Sequence, residues 1–80
     1  ENHMIKIKRS CQDSAVRMLE RRGTFLGWIG NLQYWVLDGK AWSVGGGIVC
    51  RCDDETETDR IVRTVKALNY GDSRRIPALS

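Results

Sequence analysis

The stretch Tyr34-Trp35-Val36-Leu37-Asp38-Gly39-Lys40-Ala41-Trp42-Ser43 decides the architecture. Aspartate and glycine both tolerate positive φ, which a type I′ turn requires at its two central residues. The twist of that turn matches the twist of paired antiparallel strands. A two-residue turn also sets the register. Leu37 should face Lys40, Val36 Ala41, Trp35 Trp42, and Tyr34 Ser43. The Trp35–Trp42 pair should then add about 0.5–1 kcal/mol of cross-strand packing.

Upstream, residues 24–37 carry Phe25, Leu26, Trp28, Ile29, Leu32, Tyr34, Trp35, Val36 and Leu37. Aromatic and β-branched side chains favour strand. Gly30-Asn31 interrupts the run, as a tight turn or as a bulge. Downstream, Gly45-Gly46-Gly47 is a turn or a kinked passage, and residues 48–52 resume as strand.

Two helices flank this block. Residues 10–22 place Cys11, Ala15, Met18, Leu19 and Arg22 on one stripe. Ser10 with Asp13 has the spacing of a capping box, and Gly23 after two arginines suits a left-handed helix end. Residues 54–69 place Ile61, Val62, Val65 and Leu68 on a second stripe, with Gly71 as the stop. Ahead of the first helix, residues 4–9 alternate apolar and basic and read as a short strand.

The order is β-α-β-β-(β)-α. The expected fold is α+β: a small two-layer sandwich with a mostly antiparallel sheet and two helices on one face. A right-handed crossover after the first strand makes the arrangement ferredoxin-like, with the last strand weak or missing. Residues 1–3 read as an expression remnant, residues 4–71 as one domain, and residues 72–80 as a tail that could add a short edge strand.

With 80 residues, there is room for one modest core. Hydrophobic residues form 41% and charged residues 29%, a globular composition rather than a disordered one. No long apolar run reads as a signal or a membrane span, so no membrane is expected as a partner. Three cysteines, an odd count, point to a reducing compartment, and cytoplasm is the expectation.

Catalytic chemistry is poorly provided for. The only histidine is His3, within the presumed remnant, so no internal imidazole can act as base. Cys50-Arg51-Cys52 lacks the further ligands a zinc site needs. The acids of residues 53–59 lack the spacing of a calcium loop and read as helix-start electrostatics. The expectation is no enzyme, no metal and no cofactor.

Sheet faces carry the functional reading. With a tight turn at Gly30-Asn31, Leu26, Trp28, Trp35, Leu37, Trp42 and Val44 share one face. Phe25, Ile29, Leu32, Tyr34, Val36 and Ala41 share the other. With one long strand instead, Trp28 joins Tyr34 and Val36. Either way both faces are apolar, whereas a half-solvated sheet should alternate. Two helices on one face would leave the second bare, and exposed apolar surface marks interaction sites. The expectation is a small non-catalytic protein-binding module, such as an inhibitor, adaptor or regulatory subunit. Its contact residues would be Phe25, Trp28, Ile29, Tyr34 and Val36. Its partner would be another protein or a second copy in a homodimer.

Two alternatives accompany that expectation. The thirteen bases face only five acids outside residues 53–59, an excess that attracts phosphates. Sheet aromatics with Lys6, Lys8, Arg9, Arg74 and Arg75 would suit single-stranded nucleic acid. Small-ligand binding at an oligomer interface, with Trp and Arg holding a planar or anionic group, is the other.

Overall fold

The structure, a computed structural model, describes residues 4–74, with side chains through Asn69. Its elements are β1 (Met4–Lys6), a 3-10 turn (Arg9–Cys11), α1 (Gln12–Arg22), β2 (Thr24–Ile29), β3 (Leu32–Leu37), β4 (Lys40–Gly45), β5 (Ile48–Cys52) and α2 (Glu55–Arg74). The fold is α+β, a five-stranded sheet with two helices. All four strand pairings are antiparallel, in the order β1-β5-β4-β3-β2.

Three consecutive two-residue turns build the meander β2–β5. Asp38 and Gly39 have φ of 55° and 74°, and the four cross-strand pairs expected around them form. Gly30 has φ 62° and joins Ile29 to Leu32, so Gly30-Asn31 is a turn. Gly46 and Gly47, with φ 59° and 75°, close the third hairpin, opposite the Gly45–Ile48 pair.

The ferredoxin-like arrangement is not the one adopted. β1 pairs with β5, so three strands separate β1 from β2, and α1 crosses the sheet to connect the two edges. Nor do both helices share a face. The register puts Trp35, Leu37, Trp42, Val44 and Val49 on one side. There they pack with Ala15, Val16, Met18 and Leu19 of α1 and with Ile7. Tyr34, Val36, Ala41, Ser43, Cys50 and Cys52 occupy the other side. Thr58 Oγ1 of α2 accepts the Ala41 N–H at 3.3 Å, and Ile61 and Val62 lie beside Tyr34 and Val36. The molecule has three layers, helix, sheet and helix. The reason is the double apolarity of β3 and β4: each face needs cover, and one helix serves each.

Helix details differ from the sequence reading in physical ways. Ser10 makes no cap. The chain enters α1 through a 3-10 turn closed by Cys11 N–H to Lys8 O, at 2.8 Å. Gly23 is extended, not left-handed. A Cβ there would lie 2.7 Å from Leu19 O, so close approach excludes a side chain. Asp54 caps α2, its Oδ2 accepting the Glu57 N–H at 2.7 Å. α2 runs on through Gly71 to Arg74. Its buried stripe is Thr58 and Val65, flanked by half-buried Ile61 and Val62, while Leu68 is exposed. The edge strand considered for the tail beyond Arg74 lies outside the described residues. Among the described residues no helix is long and apolar enough to cross a membrane.

Candidate functional site: an aromatic edge on the α1 side

β2 contains a bulge, and the bulge builds the site. Thr24 pairs with Val36 and Phe25 with Trp35, but the next partner of β3, Tyr34, meets Gly27. Leu26 is the extra residue, and the alternation of β2 resets across it. Phe25 therefore lands on the Trp35 side, not with Tyr34, while Leu26 joins Val36 beneath α2. Trp28, opposite Gln33, also faces the α1 side.

Gly27 makes this geometry possible. Its φ is 146°, a value L side chains avoid, and a Cβ would sit 2.3 Å from the Asn69 side chain. Asn69 of α2 reaches over the strand. Its Oδ1 accepts the Trp28 N–H at 2.9 Å, and its Nδ2 donates to Trp28 O at 3.0 Å and Val65 O at 2.7 Å. The amide thus occupies the backbone groups of an edge strand as a neighbouring strand would, which blunts that edge.

The result is a row of rings. Phe25 meets Trp35 edge-on with centroids 5.2 Å apart, and meets Trp28 edge-on at 6.3 Å. Edge-to-face contact is the favoured aromatic geometry. Gln33 Oε1 holds Trp35 by accepting its Nε1–H at 3.2 Å. Trp35 is half-buried against the α1 core, but Phe25 is 45% exposed and Trp28 49% exposed. α1 covers the middle of its face and leaves these two rings in water. Ile5, on the same face, lies at the opposite edge.

The expected contact residues are therefore divided. Phe25 and Trp28 come together on the α1 side. Ile29, Tyr34 and Val36 lie on the other side, half-buried next to α2. The Tyr34 hydroxyl has its pKa raised, mainly by burial and further by Cys50 on the same face. Trp28 and Trp35 share a face, as a turn at Gly30-Asn31 requires; the bulge adds Phe25 to them, and nothing local in residues 24–29 announces the bulge except Gly27.

The basic residues are spread more widely. Lys6 and Arg9 line a depression with Gln12, Gly46, Gly47 and Ile48, and Lys8 is exposed beside it. Arg74 ends α2, which has already crossed to β2 by Asn69, whereas Lys6 belongs to the opposite edge. Arg75 lies outside the described residues. A cluster absent from the sequence reading is Ser14, Arg17, Arg21 and Arg22, which line one depression on α1 with Met18.

Arg51 and Asp53 have structural partners, whereas the buried Trp42 Nε1–H has no hydrogen-bond acceptor among the described residues. Arg51 lies over the Trp42 ring, 5.7 Å from its centroid, and grips Asp53 through Nε at 2.7 Å and Nη2 at 3.1 Å. Those hydrogen bonds hold the Asp53 carboxyl below its ordinary pKa, aided by the charges of Arg51 and Lys40. Cys52 is buried with its thiol 3.5 Å from Asp54 O; Cys50 is half-buried and Cys11 exposed. Among the described residues no three His, Cys, Asp or Glu side chains stand together as a metal site.

No family model, curated protein or solved structure matches this chain.

Proposed function

We propose that the protein is a small non-catalytic binding module that docks on another protein through Phe25 and Trp28, backed by Trp35. One observation carries the reading. Two adjacent aromatic rings, Phe25 edge-on against half-buried Trp35 and Trp28 edge-on against Phe25, stay about half in water on a sheet face whose middle α1 covers. Exposed apolar clusters of this kind favour partners, and aromatic anchors dominate contact energies. The rings are held before binding, so little side-chain entropy remains to be lost. Contact is through ring surface rather than strand addition, because Asn69 already occupies the outward backbone groups of Trp28.

The variant Phe25→Ser/Trp28→Ser tests this. Both side chains are substantially exposed, so the variant should keep its circular dichroism spectrum. Affinity capture from the source cell with wild type and variant baits, quantified by mass spectrometry, should show at least one protein retained by the first and lost from the second. Identical capture by both baits would refute the reading. A second copy is the other occupant of the same patch. Sedimentation equilibrium would then give a concentration-dependent mass for wild type and a monomer for the variant.

A further inference from the structure

We propose that the outer side of α1 binds the phosphate backbone of nucleic acid, with Arg17 and Arg21 at its centre, Lys8 and Arg9 at one end and Arg22 at the other. This surface is separate from the Phe25–Trp28 patch and does not depend on it. Ser14, Arg17 and Arg21 follow at spacings of three and four, so they form one stripe along the helix. With Met18 and Arg22 they line a depression of about 310 Å³. Seven residues of helix place Ser14 and Arg21 about 10 Å apart along the axis.

The fold itself does not call for these charges. Arg17 and Arg21 are like charges one turn apart, a pairing that destabilises a helix. The helix dipole favours Arg21 and Arg22 at the carbonyl end but opposes Lys8 and Arg9 at the amino end. Intramolecular neutralisation is also missing. Among the described residues Arg22, Lys40, Arg51 and Arg60 form ion pairs; Lys8, Arg9, Arg17 and Arg21 form none, nor do Lys6, Arg63 and Lys66, but Arg17 and Arg21 line one depression with a third cation, Arg22. Arg22 reaches Asp38 only at 3.5 Å, both groups exposed. Asp13 and Glu20 stand one turn on either side of Arg17, and neither is paired with it, so the Arg17 and Arg21 guanidiniums stay open to an external anion.

The chemistry of the anion follows from the layout. Guanidinium forks bind phosphate oxygens in pairs, and the Ser14 hydroxyl adds a donor. Cations strung from Lys8 to Arg22 suit a ligand with repeated phosphates. A membrane surface is disfavoured, because a helix that lies on lipid must offer it apolar side chains, and those of α1 are spent on the core.

Fluorescence anisotropy with a labelled oligonucleotide, single-stranded and as a duplex, tests the proposal over about 50–200 mM salt. Binding should weaken steeply with salt. Arg17→Glu/Arg21→Glu should lose about tenfold or more in affinity at low salt, and its log–log salt slope should fall by about 1.4 on a single strand. Arg17→Gln/Arg21→Gln should behave similarly and serves if the first variant does not fold. Arg63→Glu/Lys66→Glu makes the same change in net charge on α2 and should lose far less. Phe25→Ser/Trp28→Ser should keep the wild-type slope, which separates this surface from the protein-docking patch. Absence of binding to either oligonucleotide form at low salt overturns the proposal. So does an equal loss in the α1 and α2 variants, or binding to anionic lipid vesicles without binding to oligonucleotide.

Discussion

At the scale of single residues, Gly27 and Asn69 form the most tightly coupled pair. Asn69→Ala removes three hydrogen bonds and leaves the Trp28 backbone groups to water. The expected loss is about 1–3 kcal/mol, seen as several degrees in Tm. Gly27→Ala should cost more, because it adds a clash with Asn69 to the strain of φ 146°. In the Asn69→Ala background the clash is gone but the backbone strain stays. A double-mutant cycle by urea denaturation should therefore show a smaller, non-zero penalty for Gly27→Ala. Tyr34 offers a different measurement. Burial raises its pKa above 10.0, so the folded state holds the proton longer than the unfolded chain. The stabilisation is whole below pH 10.0 and is lost as pH rises beyond it. Tyr34→Phe should flatten that alkaline fall in stability, measured as Tm against pH.

At the scale of elements, the two helix starts make opposite predictions. Ser10 has the spacing of a cap, but its side chain bonds no backbone N–H at the start of α1. Ser10→Ala should change stability by less than about 0.5 kcal/mol. Asp54 does cap α2, and Asp54→Ala should cost about 1 kcal/mol. Denaturant midpoints of the two variants against wild type decide the matter. The strands obey the turn chemistry more faithfully than the helices obey theirs. Each hairpin has only two loop residues, so the pairing next to its turn has no slack and slips only farther out, as at the Leu26 bulge, whereas a helix start can slide by a turn into a 3-10 entry.

At the scale of the whole molecule, three layers mean two separate contact zones on one sheet. Leu19 of α1 and Val65 of α2 are buried against opposite faces of the sheet. Leu19→Ala should cost about 2–5 kcal/mol, a large part of the stability of so small a domain. Val65→Ala should be destabilising too. Because the sheet lies between them, the two losses should add within about 0.5 kcal/mol when measured in partly denaturing conditions. Strong coupling between them would contradict separate cores. The same layering separates the two proposed surfaces from the α2 side. α2 shields Tyr34 and Val36, whereas α1 leaves two rings uncovered and carries exposed, unpaired Arg17 and Arg21.

The local chemistry of the chain determined the Asp38-Gly39 hairpin with its Trp35–Trp42 pairing, and the presence of both helices, because turn residues and apolar spacing act over a few positions; at Gly30-Asn31 and Gly45-Gly46-Gly47 it left turn and bulge open. It also showed that both sheet faces are apolar. Only the tertiary structure decided how those faces are covered. Which side a helix packs on depends on the path of a crossover, and the path from β1 to β2 spans the entire sheet. The fate of Phe25 was likewise invisible locally. One extra residue at Leu26 inverts every side chain before it relative to those after it. What holds that bulge is Asn69, a residue forty-two positions away from Gly27 in the chain and in contact with it only in the fold.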